Sequence, residues 1–148
     1  MAGTQPDRRL LGVLLRLPLR ALLAELNRGM RDAGFTDLRP AHSAVFMGLD
    51  SEGTKITDLA ERASMTKQSM GALVRYLEEH GYVSTSPHPS DGRAKLVRLT
   101  KKGKATEQPA RRNIQRIQDK WKRQLDDGEM QELLRLLRKL ADTAAPGN

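Results

Sequence analysis

The chain has 148 residues, with 26 Lys and Arg against 18 Asp and Glu, and a net charge of +8. It contains no cysteine, which excludes disulfide frameworks, thiolate zinc sites and cysteine nucleophiles. Aromatic residues make up only 3%, too few for the stacking platform of a single-strand binder. The length suits a single domain. No run of about 18 apolar residues is present, so we expect a cytoplasmic protein with no membrane partner.

The positive charge is concentrated in the middle of the chain. Residues 54–123 hold sixteen basic and seven acidic side chains, whereas residues 1–53 and 124–148 together hold ten and eleven. Such a concentration attracts polyanions, and nucleic acid is the leading candidate for the partner. A basic surface that is merely solvated has the same composition, so the charge alone does not decide between these two interpretations.

Residues 8–34 are predicted to form one long helix. Its apolar residues recur at spacings of three, four and seven, at Leu11, Leu14, Leu15, Leu22, Leu26 and Met30. Further leucines lie outside this stripe, at Leu10, Leu17, Leu19 and Leu23. Pro18 predicts a kink or a late start, and Gly34 predicts the end. The apolar surface must be covered on more than one side, which indicates a partner chain.

Three shorter helices are predicted next, at 40–49, 58–63 and 67–80. Thr57 precedes the second of them and Thr66 precedes the third, and threonine is a favoured N-cap residue. Gly81 follows the third helix, where glycine commonly ends a helix. The residues between the second and third helices are few, so these two helices are joined by a tight turn.

After Gly81 the pattern becomes extended. Short strands are predicted at 82–86 and 95–99, with Val97 and Leu99 sharing one face of the second strand. The residues between them, Pro-His-Pro-Ser-Asp-Gly, are dense in turn formers. The two strands therefore form a hairpin, and we expect its tip to be long and polar.

Two further helices are predicted at 100–124 and 126–142. Thr100 is the N-cap candidate of the first, and Asp126 with Glu129 makes a capping box for the second. The last helix carries an apolar surface too wide for a lone terminal helix, at Met130, Leu133, Leu134, Leu136, Leu137 and Leu140. It also indicates a partner chain.

The middle of the chain has the pattern of a winged helix-turn-helix, two short helices followed by a hairpin. The outer surface of the second helix would fit a major groove. Its candidate DNA contacts are Thr66, whose neighbouring amides attract phosphate, the donors Lys67, Gln68, Ser69 and Arg75, and the small Ala72. At the hairpin tip, Arg93 suits a narrow minor groove. Each of these has an ordinary alternative as a solvated or packing residue, and their conjunction in this order favours DNA binding.

Four segments carry a resemblance to a known family: 56–60 (ITDLA), 65–69 (MTKQS), 73–83 (LVRYLEEHGYV) and 91–100 (DGRAKLVRLT). Through them the chain resembles transcription regulators of the MarR (multiple antibiotic resistance regulator) family. The spacing from Asp91 and Arg93 to Leu99 and Thr100 is that family's wing signature, and Gly103 follows where the family usually has it. The resemblance extends over nearly the whole chain, including its two ends.

The resemblance implies a mainly α fold with a small β-hairpin wing. A winged helix-turn-helix lobe would span residues 40–103, with the wing at 82–99. Residues 1–39 and 104–148 would form the helical dimerisation region of a homodimer. The two lobes would then bind double-stranded DNA at half-sites about 10 bp apart.

In the wing, the resemblance implies that Arg93 enters the minor groove while Asp91 holds its guanidinium in a charge-assisted pair. Lys95, Arg98, Lys101 and Lys102 would add contacts to phosphates. Gly92 stands where many members of the family have a second arginine, so this wing is less basic than usual.

Many members of the family are repressors released by small phenolic or carboxylate effectors, which bind between the dimerisation helices and the lobe. The candidate lining residues here are His42, Phe46 and Met30, with Arg16 or Arg20 as the partner of an anion. A lone histidine is more often a hydrogen-bonded structural residue, and the other two are more often part of a core, so both interpretations stay open.

The sequence leaves two classes of function. The leading one is a dimeric, sequence-specific DNA-binding regulator, which in the family resembled is more often a repressor than an activator. The alternative is a non-catalytic protein of the same fold that binds another regulator, or DNA without sequence preference, and the less basic wing supports it. We expect no enzyme and no cofactor or metal, because the three histidines (His42, His80 and His88) are scattered and no phosphate loop is present.

Overall fold

The computed structural model describes residues 8–144. The elements in chain order are α1 (Arg8–Asp32), a 3-10 turn (Pro40–His42), α2 (Ser43–Gly48), β1 (Thr54–Lys55), α3 (Ile56–Arg62), α4 (Lys67–Glu79), β2 (Val83–His88), β3 (Asp91–Leu99), α5 (Lys101–Lys104), α6 (Glu107–Trp121) and α7 (Asp127–Ala144). The fold is mainly α with one small antiparallel sheet, which confirms the predicted fold class.

The long first helix is confirmed. It continues on both sides of Pro18, so the proline does not delay its start. At its end Gly34 has a φ of 96°, which glycine adopts without strain. The amide of Gly34 donates to the carbonyl of Arg31 at 2.9 Å, and that of Phe35 donates to Met30 at 3.0 Å, so the last carbonyls are satisfied.

The second and third helices differ from their predictions. The helix expected at 40–49 begins as a 3-10 turn, in which Nδ1 of His42 accepts the amide of Arg39 at 3.0 Å. The helix expected at 58–63 begins earlier, at Ile56, so Thr57 lies inside it and is not its cap. The reason is that Thr54 and Lys55 pair with β3, and the chain passes from that strand directly into the helix.

The fourth helix agrees with its prediction. The hydroxyl of Thr66 accepts the amide of Ser69 at 3.1 Å, which is the expected N-cap bond. Its buried residues are Met70, Val74 and Leu77, one apolar stripe at helical spacing.

The sheet has three strands in the order β1-β3-β2, one more than expected. The hairpin strands are also longer than predicted, since Pro87 pairs with Lys95 and His88 with Asp91. The expected long polar tip is therefore wrong: only Pro89 and Ser90 separate the strands. The pairing is irregular near the tip, because the register shifts between Pro87 and His88 and leaves residues 92–94 of β3 without a partner in β2.

The core lies inside the winged lobe and reaches up to α1. Its fully buried side chains are Val45, Leu59, Met70, Val74, Leu77, Tyr82, Val83 and Val97. Met30 from α1 and Leu38 from the following loop belong to the same cluster. The end of α1 is thereby fixed against the lobe.

Tyr82 is the polar centre of this core. Its hydroxyl donates to a carboxylate oxygen of Asp37 at 2.5 Å, and the ammonium of Lys102 lies 4.2 Å from its ring centre. Burial and the Asp37 carboxylate raise the pKa of Tyr82 well above its usual range. Burial alone would raise the pKa of Asp37, but the Tyr82 hydroxyl and Lys102 outweigh it and the pKa is lowered.

The helix expected at 100–124 is two helices, α5 and α6. Thr100 caps α5 as predicted, accepting the amide of Gly103 at 3.1 Å. The hydroxyl of Thr106 donates to the carbonyl of Gly103 at 2.7 Å, and Pro109 in the first turn of α6 has no amide to donate, so the helix restarts between them. The capping box of Asp126 and Glu129 is confirmed by reciprocal bonds of 3.0 and 2.8 Å.

α1 packs along α6, where Gly29 leaves room for the buried side chain of Asn113. Glu25 pairs with Arg28 at 2.6 Å and with Lys120 at 2.9 Å, and these two cations lower its pKa to about 2. Much of the remaining apolar surface of α1 is not packed against another helix. Large apolar side chains of α1, α6 and α7 are exposed: Leu10, Leu11, Val13, Leu14, Leu15, Leu17, Leu19, Ile114, Leu136, Leu137 and Leu140.

None of the helices in residues 8–144 is long and apolar enough to cross a membrane. The residues of the predicted dimerisation region that precede Arg8 or follow Ala144 lie outside the described part of the chain.

The contact of Gly103 with the wing gives a stability prediction. A Cβ at this position would overlap the carbonyl oxygen of Tyr82, which is fixed backbone. We expect Gly103→Ala to lower the free energy of unfolding by about 1–3 kcal/mol, measured by urea denaturation. The matched control is Gly71→Ala inside α4, where a Cβ meets nothing within 4 Å. An equal effect of the two substitutions would contradict the packing assigned to Gly103.

Candidate nucleic-acid interface and neighbouring cavity

The outer face of α4 carries the residues that the sequence singled out. Lys67, Gln68, Ser69, Ala72 and Arg75 are all exposed, while the opposite face of the helix is buried in the core. Their exposure follows from the helical spacing of the buried stripe. The structure thus brings the predicted donors together on one free surface of one helix.

A basic cleft of about 230 Å³ lies between this helix and the wing. Its walls include four cations, namely Lys55, Lys67, Arg93 and Lys95, and none of its lining residues is acidic. Lys55 was not among the predicted contacts, because the two-residue strand that positions it is too short to produce an alternating pattern in the sequence. Four positive charges around one concave surface attract a phosphate backbone.

The wing tip differs in one detail from what the resemblance implied. Asp91 accepts a hydrogen bond of 3.2 Å from the backbone amide of Arg93, not from its guanidinium. A short carboxylate at the start of a strand readily bonds to an amide two residues later. The side chain of Arg93 is exposed and pairs with no acid of residues 8–144.

Two of the expected phosphate contacts are engaged within the molecule. Arg98 donates to the carbonyl of Glu52 and to the hydroxyl of Ser86, both at 3.1 Å. Lys102 donates to the carbonyl of His80 at 2.7 Å and lies 3.6 Å from Asp37. These bonds fasten the wing and α5 to the lobe. Of the four expected residues, Lys95 lines the basic cleft and the exposed Lys101 does not.

An apolar cavity of about 400 Å³ opens between α1, α2 and α6. Met30, His42 and Phe46 line it, as expected of an effector pocket from the sequence. Neither Arg16 nor Arg20 lines it, which corrects that part of the expectation. Arg16 lies seven residues before Leu23, the first lining residue of α1, or about 10 Å along the helix.

The cavity wall has few polar side chains, and besides its charged groups and His42 these are Asn27 and Ser43. Arg39 and Arg111 are the lining cations, and Glu107 is the lining acid. His42 is 4% exposed, and its Nδ1 accepts the Arg39 amide, so its proton resides on Nε2. Burial and the nearby Arg39 lower the pKa of His42, which keeps the ring neutral.

Comparison with known proteins points to one family. The family model of the MarR family matches residues 36–94. Over 130 residues the chain is 29% identical to the HTH-type transcriptional repressor Rv2887 of Mycobacterium tuberculosis, across 88% of this chain and 92% of the repressor. The chain is thus similar to the MarR family in the segment that holds α2 to α4 and most of the wing, and to a transcriptional repressor over most of its length. A match to a riboflavin kinase of Pyrobaculum islandicum, 40% identical over 55 residues, spans 37% of this chain and only 22% of the kinase.

Solved structures of MarR-family regulators share the fold. The regulator of Methanosarcina mazei Go1 gives a TM-score of 0.80 at 18% identity, over 93% of this chain and 97% of that one. BpsR of Bordetella bronchiseptica, whose DNA binding is regulated by 6-hydroxynicotinic acid, gives 0.70 at 23% identity, over 88% and 98%. At identities below 25%, this similarity shows a shared fold and carries no conclusion about function.

The family match and the repressor relatives point to a non-enzymatic, DNA-binding transcription regulator. Within residues 8–144 there is also no group of three or more His, Cys, Asp or Glu placed to hold a metal ion. The exposed face of α4 and the basic cleft carry hydrogen-bond donors and cations, the chemistry that a DNA duplex requires.

The exposed guanidinium of Arg93 gives the second prediction. We expect Arg93→Ala to weaken DNA binding by roughly 1–3 kcal/mol, because one contact to DNA is lost. The slope of the logarithm of the binding constant against the logarithm of the salt concentration should become shallower by about one. The measurement is a fluorescence titration at several salt concentrations. Lys139→Ala removes the same charge from exposed α7, outside the cleft, and serves as the control. If both variants lose the same affinity, Arg93 acts only through the net charge.

Proposed function

We propose that this chain is a homodimeric MarR-family repressor that binds a pseudo-palindromic operator and is released by a small effector. The observation that carries the proposal is the basic cleft, which joins the exposed face of α4 to the wing and has four cations around one concave surface. A helix flanked by such a cleft can enter a major groove while the wing follows the adjacent backbone.

The residues of this surface divide by their chemistry. Lys67, Gln68, Ser69 and Arg75 offer donors to base edges and phosphates, and Ala72 leaves space for close approach. The free amides beside Thr66 are suited to a phosphate. Arg93 reaches the minor groove and Lys95 a phosphate, while Asp91 stiffens the turn by binding the Arg93 amide.

The partner that completes the molecule is a second copy of the chain. Leu11 is 62% exposed and Leu140 is 58% exposed, among many other apolar side chains of the two end helices. Burying such surface is worth about 25 cal/mol per Å², which favours association. Residues 1–39 and 104–148 thus form the dimerisation region, and residues 40–103 the DNA-binding lobe. Closed two-fold symmetry sets half-sites about 10 bp apart.

The cavity is the proposed effector site. Its wall is largely apolar. Its polar groups include the neutral Nε2–H donor of His42, the cations Arg39 and Arg111, and the acid Glu107. Such a lining fits a small phenol or carboxylate, the class to which the effector of BpsR belongs. Arg39 or Arg111, in place of Arg16, is the partner of the anionic group. Binding would favour lobe separations that do not match adjacent major grooves.

The primary test is the selection of bound duplexes from a random library, followed by salt titration of the selected duplex. A two-fold-symmetric site, bound more weakly as salt rises, supports the proposal. In the same selection, Gln68→Ala should change the preferred sequence, because an amide that reads a base is lost. Recovery of no preferred sequence would instead support the alternative, a protein of this fold that binds another regulator or DNA without preference.

The assigned dimer interface gives a third prediction. We expect a charge placed among the exposed leucines of α7, as in Leu140→Glu, to dissociate the dimer, because the carboxylate would be buried unpaired. Truncation after Leu125 should do the same. Sedimentation equilibrium measures both effects, and Lys139→Glu, on an exposed neighbour, is the matched control. A Leu140→Glu protein that sediments as a wild-type dimer would contradict the interface.

A further inference from the structure

Three aromatic rings stack where the 3-10 turn meets α4. The ring of His42 lies 4.6 Å from that of Tyr76, with an angle of 20° between the planes. The ring of His80 lies 3.9 Å from Tyr76, at 21°. Two rings cannot stack on the same face of one phenol, so the two histidines cover its opposite faces. Tyr76 is thereby clamped between two of the three histidines of the chain.

The stack connects the cavity to the helix that faces DNA. His42 lies on the wall of the cavity and ends the 3-10 turn, whereas Tyr76 is part of α4 and His80 follows its last residue. The Tyr76 hydroxyl donates to the carbonyl of Asp37 at 2.8 Å. Nδ1 of His80 donates to the carbonyl of Tyr76 at 2.7 Å. Movement of the 3-10 turn is therefore passed to the C-terminal half of α4.

The clamp is compatible only with a neutral His42. Nδ1 of His42 accepts the Arg39 amide, so a second proton on the ring would place two donors against each other. The ring is also 4% exposed, and burial disfavours its cation. Protonation thus breaks the bond that holds the 3-10 turn at its start.

The charges around His42 do not compensate for its protonation. Arg39 precedes it on the same turn, His80 lies across the phenol on α4, and Lys102 of α5 donates to the His80 carbonyl. α6 contributes Glu107 and Arg111 to the cavity wall, which offset each other. The remaining acid, Asp37, is already bound by the Tyr82 hydroxyl and Lys102.

We propose that Tyr76 is a positioning residue for α4, and that protonation of His42 opens its clamp and weakens DNA binding as the pH falls below about 6.5. The proposal rests on the proposed role of α4 in binding DNA. It requires no particular effector, because the ligand is the proton.

The direction of the effect follows from linkage. Burial and then Arg39 lower the pKa of His42 from 6.5 in the closed clamp, whereas an open, solvated ring keeps the ordinary value. Below the ordinary pKa the open arrangement binds more protons than the closed one, so acidification favours opening. Above it both arrangements hold a neutral ring, and the pH has no effect through this residue.

The clamp itself is tested by NMR titration of the three histidine rings. In the wild type, we expect His42 to titrate below the ordinary histidine range. In Tyr76→Leu, which removes the phenol between the rings, its midpoint should rise toward the ordinary value. A His42 that titrates normally in the wild type, or whose midpoint is the same in Tyr76→Leu, overturns the clamp.

The consequence for DNA is tested with the duplex selected above, or with a mixed-sequence duplex, at about pH 7.5 and about pH 5.5. We expect the wild-type affinity to fall about threefold or more, since one linked proton allows up to about tenfold per pH unit. His42→Phe keeps a ring on Tyr76 but cannot take up a proton, so its affinity should not fall. His88→Gln, at the wing, should respond as the wild type does.

Each outcome separates the two proposals. The same loss in His42→Phe as in the wild type overturns the His42 mechanism and leaves the DNA-binding role of α4 intact. Loss of the response in His88→Gln would assign it to the wing and also overturn the mechanism. Failure to bind either duplex at both pH values would contradict the proposed function, and the NMR titration would then decide on the clamp alone.

Discussion

The phenol of Tyr82 lies where the wing, the loop after α1 and α5 meet, and its hydroxyl donates to Asp37. The ring is 1% exposed and contacts both phenylalanines of the chain, Phe35 and Phe46, at centroid distances of 6.2 Å. Its carbonyl accepts the amide of Thr100. One buried tyrosine thus joins the loop after the long first helix, the wing and α5.

The packing around Tyr82 determines where the charges of the lobe lie. Because β3 pairs with both β2 and the short β1, Lys55 and Lys95 come to the same cleft as Lys67 at the start of α4. Other cations of the region are used within the molecule, as Arg98 is by Glu52 and Ser86. Four cations of the middle segment are therefore gathered around one cleft.

The same packing places the cavity next to α4, the helix proposed to bind DNA. His42 is part of the cavity wall, and its ring stacks on the ring of Tyr76 in α4. A group that enters the cavity, or a proton that His42 takes up, acts on a part of the molecule already packed against α4. In the proposed homodimer, the exposed apolar faces of α1 and α7 would hold the two lobes apart, so a small local shift would become a change of lobe spacing.

The sequence by itself determined the order of the elements and the exposed face of α4, because helical spacing and caps such as Thr66 are local properties. It misplaced the start of α3 and the length of the wing and did not predict β1, since these depend on pairing between distant residues. Only the tertiary structure decided which groups share a site: Lys55 lies in the basic cleft, Arg39 and not Arg16 lines the cavity, and His42 stacks on Tyr76. Periodicity reports which face of an element is buried, whereas the identity of its neighbours is set by how distant segments pack together.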